Sequence, residues 1–518
     1  SVVRASGDIV ASSDRPLLIG RDEVPDPLAQ FFPFLPPLVA AQSGDGGLLR
    51  VSNAGSVSVT RRNLPDVTVG GVVLGSGAIV DGGRSLIIDA AGQASIDGNA
   101  VVLATAIELA STDLNLLAPD GTPGADIGAA ALQAILQRTD SLTLRAARAI
   151  TFWSPLDLRP AAGGRRLAEL TLNTPLIAGS GLAGGTIALD AAKVTLTSDG
   201  PAPAGTAVGG DGRLLISGDR LVLTGGDRRI DGFGTVAVVA AQAISVGDGK
   251  RAGTLTLPGT LLLDTPLLLA ASGATQTIAT SGAVVLGDSQ GTGVTDAIDE
   301  IGGKLVIDAA GIVLDSAIAA PAGVLELRAR DGDIVLQEGA RLLAPGYTQT
   351  FIDKRVMLAG GSVKLRADAG SVVAAPGSLI DVAAAPGGNA GTLTVAVAGA
   401  FVPGGTLRGN ADPGLSGGGF ELNSGSVVDL DTIAAAIGAG GFDRRFAVRS
   451  AAGDLALSRG VRAHDVVLAA DAGAIGIAPG AVIDASGASG GHIALWGANG
   501  VVVSGGASLL AYADPARP

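Results

Sequence analysis

The chain has 518 residues, a formal charge of −13, 80 glycines, 3% aromatic residues and no cysteine. The negative charge, without any basic stripe, argues against nucleic acid as a partner, and the absence of cysteine excludes disulfides and thiolate metal sites. Many small aliphatic residues and frequent turns are typical of an elongated repeat. The chain has one methionine and begins with serine, so we expect it to be part of a longer precursor.

Residues 1–50 are predicted to form the first coils of the repeat, interrupted by the proline- and phenylalanine-rich segment 24–39. Five prolines exclude an inner strand there. Two alternatives remain open, since the segment could cover an apolar side of the repeat or form an exposed loop that meets a partner. The residues of the proposed partner-contact loop are Phe31, Phe32, Phe34, Pro36 and Pro37.

The rest of the chain alternates between short strands and inserted segments. Short runs of alternating apolar residues, separated by glycine turns, predict β-helix coils. Alanine-rich segments with helical spacing predict helical insertions between the coils. In chain order the predictions are coils over 51–123, a helical insertion over 124–140, coils over 141–291, a helical insertion over 292–303, coils over 304–429, a helical insertion over 430–441, and coils with an uncapped end over 442–518.

An internal repeat sets the expected architecture. Residues 363–388 align with residues 466–491 at an offset of 103, and 14 of the 26 positions are identical. A looser third copy, residues 325–346, has Leu343 where the first two copies have Asp381 and Asp484. Strands this short cannot bury an apolar face alone, so they must stack on neighbouring copies.

The length of one coil follows from the next apolar pair. Ile493 and Leu495 lie 27 residues after Val466 and Leu468, which fits one winding with three short strands and about 25 residues. The predicted fold is therefore all-β, a right-handed parallel β-helix (solenoid) with short helical and loop insertions. Two long stretches carry no charge, residues 265–287 and 382–407. Glycine and proline interrupt both of them, so no membrane span is expected.

Candidate catalytic groups are sparse. Asp381 and Asp484 lie about four coils apart, which is about 19 Å along a stack of strands, whereas paired glycosidase carboxylates stand about 5 to 10 Å apart. We interpret both as structural turn residues that hydrogen-bond the backbone. His464 and His492 are the only histidines, and we interpret them as turn or surface residues. No catalytic, cofactor-binding or metal site is predicted.

Calcium is kept as an alternative for two glycine- and aspartate-rich segments, residues 209–219 and 225–234. Some β-solenoids bind calcium through glycine- and aspartate-rich repeats of nine residues. Neither segment iterates with that period, so no cofactor is expected.

Three segments carry a family resemblance: residues 131–158, residues 433–450 and "VIDASGASGGHIAL" at 482–495. They resemble the C-terminal region of filamentous-haemagglutinin-type exoproteins, which are large bacterial surface or secreted proteins exported by the two-partner route. The resemblance implies a β-helical shaft, an outer-membrane β-barrel transporter as the export partner, and an extracellular or bacterial cell-surface location. The secretion-domain motif Asn-Pro-Asn-Gly is absent from the chain.

The sequence and the resemblance together predict a non-enzymatic structural or adhesive protein, a shaft segment of a filamentous adhesin. Its expected partner is a receptor or glycan on a host or neighbouring cell. A first alternative is a self-assembling extracellular fibre or biofilm-matrix subunit, which would associate end to end or laterally. A β-helical polysaccharide-degrading enzyme is the less favoured alternative.

Overall fold

The computed structural model describes residues 2–4, 8–13, 47–52, 71–90, 94–96, 99–119, 121–160, 164–289, 291, 298–351 and 354–513. Within these ranges the chain is an all-β parallel β-helix with two helices. It divides into two compact units, residues 1–239 with 256–258, and residues 240–255 with 259–518.

The first unit contains one helix, α1 (Ala129–Leu136), and these strands: β1 (Val2–Arg4), β2 (Asp8–Ser13), β3 (Gly47–Ser52), β4 (Val72–Leu74), β5 (Ile79–Ala90), β6 (Ala94–Ile96), β7 (Val101–Leu116), β8 (Ala125–Ile127), β9 (Ser141–Phe152), β10 (Leu156–Asp157), β11 (Glu169–Asn173), β12 (Leu176–Gly179), β13 (Thr186–Asp190), β14 (Lys193–Thr197), β15 (Gly212–Leu223) and β16 (Arg228–Asp231). The two units divide within β17 (Phe233–Val246), within β18 (Gly253–Leu257) and between residues 258 and 259.

The second unit contains the helix α2 (Leu430–Ala439) and these strands: β19 (Thr260–Asp264), β20 (Leu267–Ala270), β21 (Thr275–Thr280), β22 (Val284–Gly287), β23 (Lys304–Ala309), β24 (Ile312–Leu314), β25 (Ala317–Ala319), β26 (Val324–Ala329), β27 (Ile334–Leu336), β28 (Arg341–Leu343), β29 (Tyr347–Phe351), β30 (Lys354–Leu358), β31 (Ser362–Ala367), β32 (Val372–Ala374), β33 (Leu379–Asp381), β34 (Thr392–Val397), β35 (Phe401–Pro403), β36 (Thr406–Arg408), β37 (Gly419–Ser424), β38 (Arg445–Ser450), β39 (Leu455–Leu457), β40 (Gly460–Arg462), β41 (Asp465–Ala470), β42 (Ile475–Ile477), β43 (Val482–Asp484), β44 (His492–Gly497), β45 (Val501–Val503) and β46 (Ser508–Leu510).

Each regular coil of the second unit has three strands, and equivalent strands of successive coils pair in parallel. The first sheet has the order β21–β23–β26–β31–β34–β37–β38–β41–β44. The second has the order β22–β24–β27–β32–β35, and the third has the order β20–β25–β28–β33–β36. This is the stacking that the internal repeat predicts.

The registers match the sequence repeat residue for residue. Val466 lies opposite Ile493, and Leu468 lies opposite Leu495, as the spacing of 27 residues predicts. Leu343 lies opposite Asp381, the position at which the third copy differs. Inward-facing columns are mainly aliphatic, and they are buried because each residue is covered by its counterparts in the coils on either side.

Helix α2 takes the place of the second- and third-sheet strands in one coil. It packs against β35 and β36 of the preceding coil and against β39 and β40 of the following one. The first sheet continues past it through β37 and β38, whereas the strands beyond the helix form two separate sheets, β39–β42–β45 and β40–β43–β46. The helix can fill this place because Leu430, Ile433, Ala434 and Ile437 form one buried stripe.

Phenylalanines fill the coil interior around α2. The rings of Phe401 and Phe420 have centroids 6.1 Å apart, and those of Phe420 and Phe446 are 5.9 Å apart. Phe442, which directly follows the helix, is also buried. The adjoining coils have aliphatic side chains in the same column, since Leu393 lies opposite Phe420 and Val466 lies opposite Phe446. The large rings are therefore concentrated in the coils next to the helix.

The start of the first unit departs from the predicted parallel coils. β1 pairs in parallel with β5, but β2 is antiparallel to β3, and β3 is antiparallel to β5. β3 therefore occupies one edge of β5, whose other edge pairs in parallel with β7. An antiparallel partner satisfies edge backbone groups without requiring another full winding.

Helix α1 lies within the predicted helical range 124–140, but residues 125–127 of that range form the strand β8, because they pair with β7. Helix α2 lies within the predicted range 430–441. The helical insertion predicted over 292–303 is wrong for its described part, residues 298–303, which form no helix. There the Glu300 carboxylate accepts a hydrogen bond from the Ser272 backbone N–H at 2.6 Å, and the Ile301 N–H donates to Ser272 Oγ at 3.1 Å. These contacts with the coil replace helical hydrogen bonds. Residues 292–297 lie outside the described residues.

Candidate functional site

One corner of the second unit carries the large insertions. Between β23 and β36, connections from the first sheet to the second, and from the second to the third, have two to four residues, for example 310–311 and 330–333. Connections from the third sheet back to the first are much longer at segments 344–361, 382–391 and 409–418, which we call the insertion corner. Variable loops on a regular scaffold are where binding residues are generally found.

Backbone hydrogen bonds stack the insertions on one another. Segment 344–361 includes the antiparallel hairpin β29–β30, and Gly360 at its base donates to the Asn389 carbonyl at 2.9 Å. In the next segment, the Ala390 N–H donates to the Ser416 carbonyl at 2.9 Å. The Gly409 N–H then reaches the Gly440 carbonyl, at the end of α2, at 2.7 Å. The insertion corner is therefore one hydrogen-bonded ledge that ends at the helix.

A cavity of about 590 Å³ opens where the ledge meets α2, and we call it the corner cavity. Its apolar wall comes from loop 411–415, the second half of α2, and the strands β40 and β43. Ala434 and Ile437 belong to the buried stripe of the helix, whereas Leu415 and Val482 are 38% and 36% exposed. The cavity therefore has a fixed apolar base and an accessible apolar rim.

Charged side chains surround this apolar surface. Among the described residues of the lining, Asp412, Asp443 and Asp484 contribute carboxylates and Arg462 contributes a guanidinium. The carboxyl end of α2 lies beside the cavity and has no basic residue in its last turn, so its partial negative charge adds to theirs. The corner cavity is a mixed apolar and acidic site.

Each cavity aspartate is fixed by a backbone hydrogen bond. Asp412 accepts from the Gly387 N–H at 2.8 Å, and Asp443 accepts from the Gly417 N–H at 2.8 Å. Asp484 accepts from the Ser486 N–H, two residues further along, at 2.9 Å. Because these contacts fix one carboxylate oxygen each, the positions of the charges are set before any ligand arrives.

The two aspartates singled out in the sequence have different surroundings. Asp381 accepts from the Ala383 N–H at 2.9 Å and lies 3.2 Å from Arg408 Nη1, with only 6% of the residue exposed. Asp484 makes the equivalent turn contact but also lines the corner cavity. Both carboxylates bond the N–H two residues on, as turn aspartates do. The cavity role of Asp484 was not predicted.

A second depression of about 600 Å³ lies on the outer surface of the first sheet. Small residues form its floor, and Arg366 and Arg449 stand on either side. Arg366 pairs with Asp368, and Arg449 Nε lies 2.8 Å from Asp471. Hydrogen bonding from Arg366 holds the pKa of Asp368 below its ordinary value. The flanking charges are therefore already neutralised.

The two histidines do not assemble a nucleophile and base with an orienting acid. His464 Nε2 lies 3.2 Å from Ser489 Oγ, whereas His492 Nδ1 lies 3.1 Å from Asp465 Oδ1. Asp465 also pairs with Arg445. The hydroxyl and the carboxylate thus contact different imidazoles, and a Ser-His-Asp chain needs both on one ring.

Phe31, Phe32, Phe34, Pro36 and Pro37, the proposed partner-contact loop, lie outside the described residues. Across the residues that the structure describes, no cluster of three or more histidine or acidic side chains is placed to hold a metal ion, and residues 209–219 and 225–234 contain none. In the same residues, neither helix has the length and apolar character that crossing a membrane requires. No family model, curated protein or solved structure matches this chain.

Proposed function

We propose that the protein is a non-enzymatic structural and adhesive segment of a bacterial cell-surface or secreted filament. The observation that carries this proposal is the uninterrupted first sheet, in register from β21 to β44, combined with three consecutive long insertions at one corner between β28 and β37. A hydrogen-bonded ladder of this kind resists bending and extension, while the corner offers contact surface that can vary without disturbing the ladder.

The arrangement of polar groups supports a role without catalysis. Asp381 is buried against Arg408, and the arginines of the first-sheet depression are paired with aspartates. Acid and base catalysis requires groups positioned on one substrate atom. In the described part of the chain, the corner cavity lies next to the hydrogen-bonded ledge of the insertion corner, and this arrangement is suited to binding.

The proposed location is the bacterial cell surface or the surrounding medium, reached through an outer-membrane β-barrel transporter. The absence of cysteine is compatible with this route, since the fold needs no disulfide. The proposed partner is a receptor or glycan on a host or neighbouring cell, met at the insertion corner.

Immunogold electron microscopy of intact, unpermeabilised cells of the source bacterium tests the proposal. An antibody raised against the 518-residue chain should label the cell exterior, and labelling should be lost when the transporter is deleted. Single tethered filaments favour the adhesive segment, whereas long free fibres favour the self-assembling alternative. Labelling only inside opened cells, or cleavage of polysaccharide by the purified chain, would overturn the proposal.

A further inference from the structure

We propose that the corner cavity binds a lysine or arginine side chain presented by a partner protein. This inference rests on the proposed function, because it assigns a chemistry to the contact surface of the adhesive segment. The argument depends on the shape of the cavity, the sign of its charges and its place on the ledge.

The walls suit a long aliphatic side chain. Leu415 and Val482 stand exposed at the rim, and Ile437 and Ala434 of α2 lie at the base. Lysine and arginine have methylene stems that cover apolar surface while the charged end stays near polar groups. Such a stem would remove the rim side chains from water.

The charges favour a cation over an anion. The described residues of the lining include three carboxylates and one guanidinium. Arg462 lies in register with Asp484 on the neighbouring strand, so the excess negative charge is that of Asp412 and Asp443. The carboxyl end of α2 adds a partial negative charge. The excess carboxylates would repel a carboxylate or phosphate ligand, whereas they would attract an ammonium or guanidinium group.

The cavity continues into an exposed surface that a protein partner could cover. Asp412 bonds to Gly387, and a side chain added at Gly387 would contact the sulfur of Met357 in the hairpin β29–β30. Met357 and its neighbour Val356 are 45% and 37% exposed. The acidic cavity therefore lies at one end of a ledge with exposed apolar side chains, a combination that suits a basic residue flanked by apolar ones.

The test is a titration of the purified 518-residue chain with three blocked tripeptides, acetyl-Gly-Lys-Gly-amide and its norleucine and glutamate analogues. The lysine peptide should bind at least about tenfold more tightly than the norleucine peptide, because only lysine gains the charge interactions. It should bind more weakly as salt is added. Equal binding of lysine and norleucine, preference for glutamate, or no binding of any peptide would overturn the inference.

A pair of double variants locates the binding. Asp412→Asn with Asp443→Asn removes two cavity charges while keeping an oxygen that can accept each backbone hydrogen bond. Asp368→Asn with Asp471→Asn makes the same charge change at the first-sheet depression. The first pair should weaken lysine-peptide binding about tenfold or more, and the second should leave it unchanged. Equal effects of the two pairs would contradict the assignment to the corner cavity.

The outcomes separate this inference from the proposed function. If the chain is found on the cell exterior but does not bind the lysine peptide, only this inference is overturned. A chain found only inside the cell would overturn the proposed function, whatever the peptide titration shows.

Discussion

Asp431, in the first turn of α2, accepts hydrogen bonds from both the backbone N–H and the hydroxyl of Ser458, at 2.9 and 2.6 Å. Ser458 lies between β39 and β40, so this one carboxylate ties the helix to the coil that follows it. Asp429, two residues earlier, caps the helix by accepting from the Thr432 N–H at 3.1 Å. Together the two aspartates fix the helix that forms one wall of the corner cavity.

Removing the cap of α2 should destabilise the second unit. Asp429→Ala leaves the Thr432 N–H without its side-chain acceptor, and loss of such a cap costs about 1 kcal/mol. Asp429→Asn should cost much less, because asparagine is an equally good cap. Urea denaturation followed by circular dichroism measures both variants. Equal loss of stability in the alanine and asparagine variants would contradict the capping role.

Acid should weaken the same contacts. Hydrogen bonds from the Thr432 hydroxyl and N–H hold the pKa of Asp429 below its ordinary value. Burial opposes the shift at Asp431, but hydrogen bonds from the hydroxyl and N–H of Ser458 hold its pKa below the ordinary value as well. A carboxylate with a lowered pKa in the folded state stabilises the fold above its unfolded pKa, about 3.9, and this contribution is lost as the pH falls through the folded value.

The free energy of unfolding should therefore fall on acidification below about pH 4. The double variant Asp429→Asn with Asp431→Asn should lose less stability than the wild type between about pH 5 and pH 3, since two of the titrating groups are gone. Urea denaturation of both proteins at the two pH values measures how much free energy of unfolding each one loses. A pH dependence equal to that of the wild type would show that these carboxylates do not contribute.

The repeat made the coil predictable. Local alternation identifies the short strands, and the spacing between Val466 and Ile493 sets the length of a winding, so register follows directly once strands stack in parallel. The substitution of Leu343 for aspartate in the third copy likewise fell at the equivalent position, opposite Asp381. These features depend on patterns that are close together in sequence or repeated within it.

The corner cavity could not be found in the same way. It combines loop 411–415, α2 and β43, which come together where the helix replaces two strands of a coil. The hairpin β29–β30 was included in a continuous run of coils, since its strands alternate like any others. A signal was present in the length of segment 344–361, which is too long for a turn.

A glycine at the insertion corner should be irreplaceable. A Cβ at Gly391 would overlap the carbonyl oxygen of Gly361 in the preceding coil, so Gly391→Ala should cost about 2 kcal/mol through forced displacement of backbone. Gly476, on β42, has no atom within 4 Å of an added Cβ, and Gly476→Ala should change stability by less than about 1 kcal/mol. The midpoints of urea denaturation measure the difference in stability between the two variants. Similar midpoints would mean that the coils can separate at Gly391.

An ion cluster in the first unit should contribute to its stability. Arg145 on β9 reaches Glu108 on β7 at 2.8 Å and Asp89 on β5 at 2.8 Å. The guanidinium passes Ala110, which lies in register between Asp89 and Arg145 and is too small to block it. Although burial acts to lower it, the pKa of Arg145 is raised by the charges of Asp89 and Glu108. Three successive coils are therefore linked through one side chain.

Arg145→Met should destabilise the first unit by about 3 kcal/mol, because it removes the cation from a carboxylate, that of Asp89, with 2% of its side chain exposed. Arg148 provides the matched comparison on the same strand. Its side chain is 45% exposed and pairs with Asp113, so Arg148→Met should cost less than about 1 kcal/mol. Thermal and urea denaturation measure the stability that each variant loses. If both lose the same stability, linkage through Arg145 is no stronger than an ordinary surface pair.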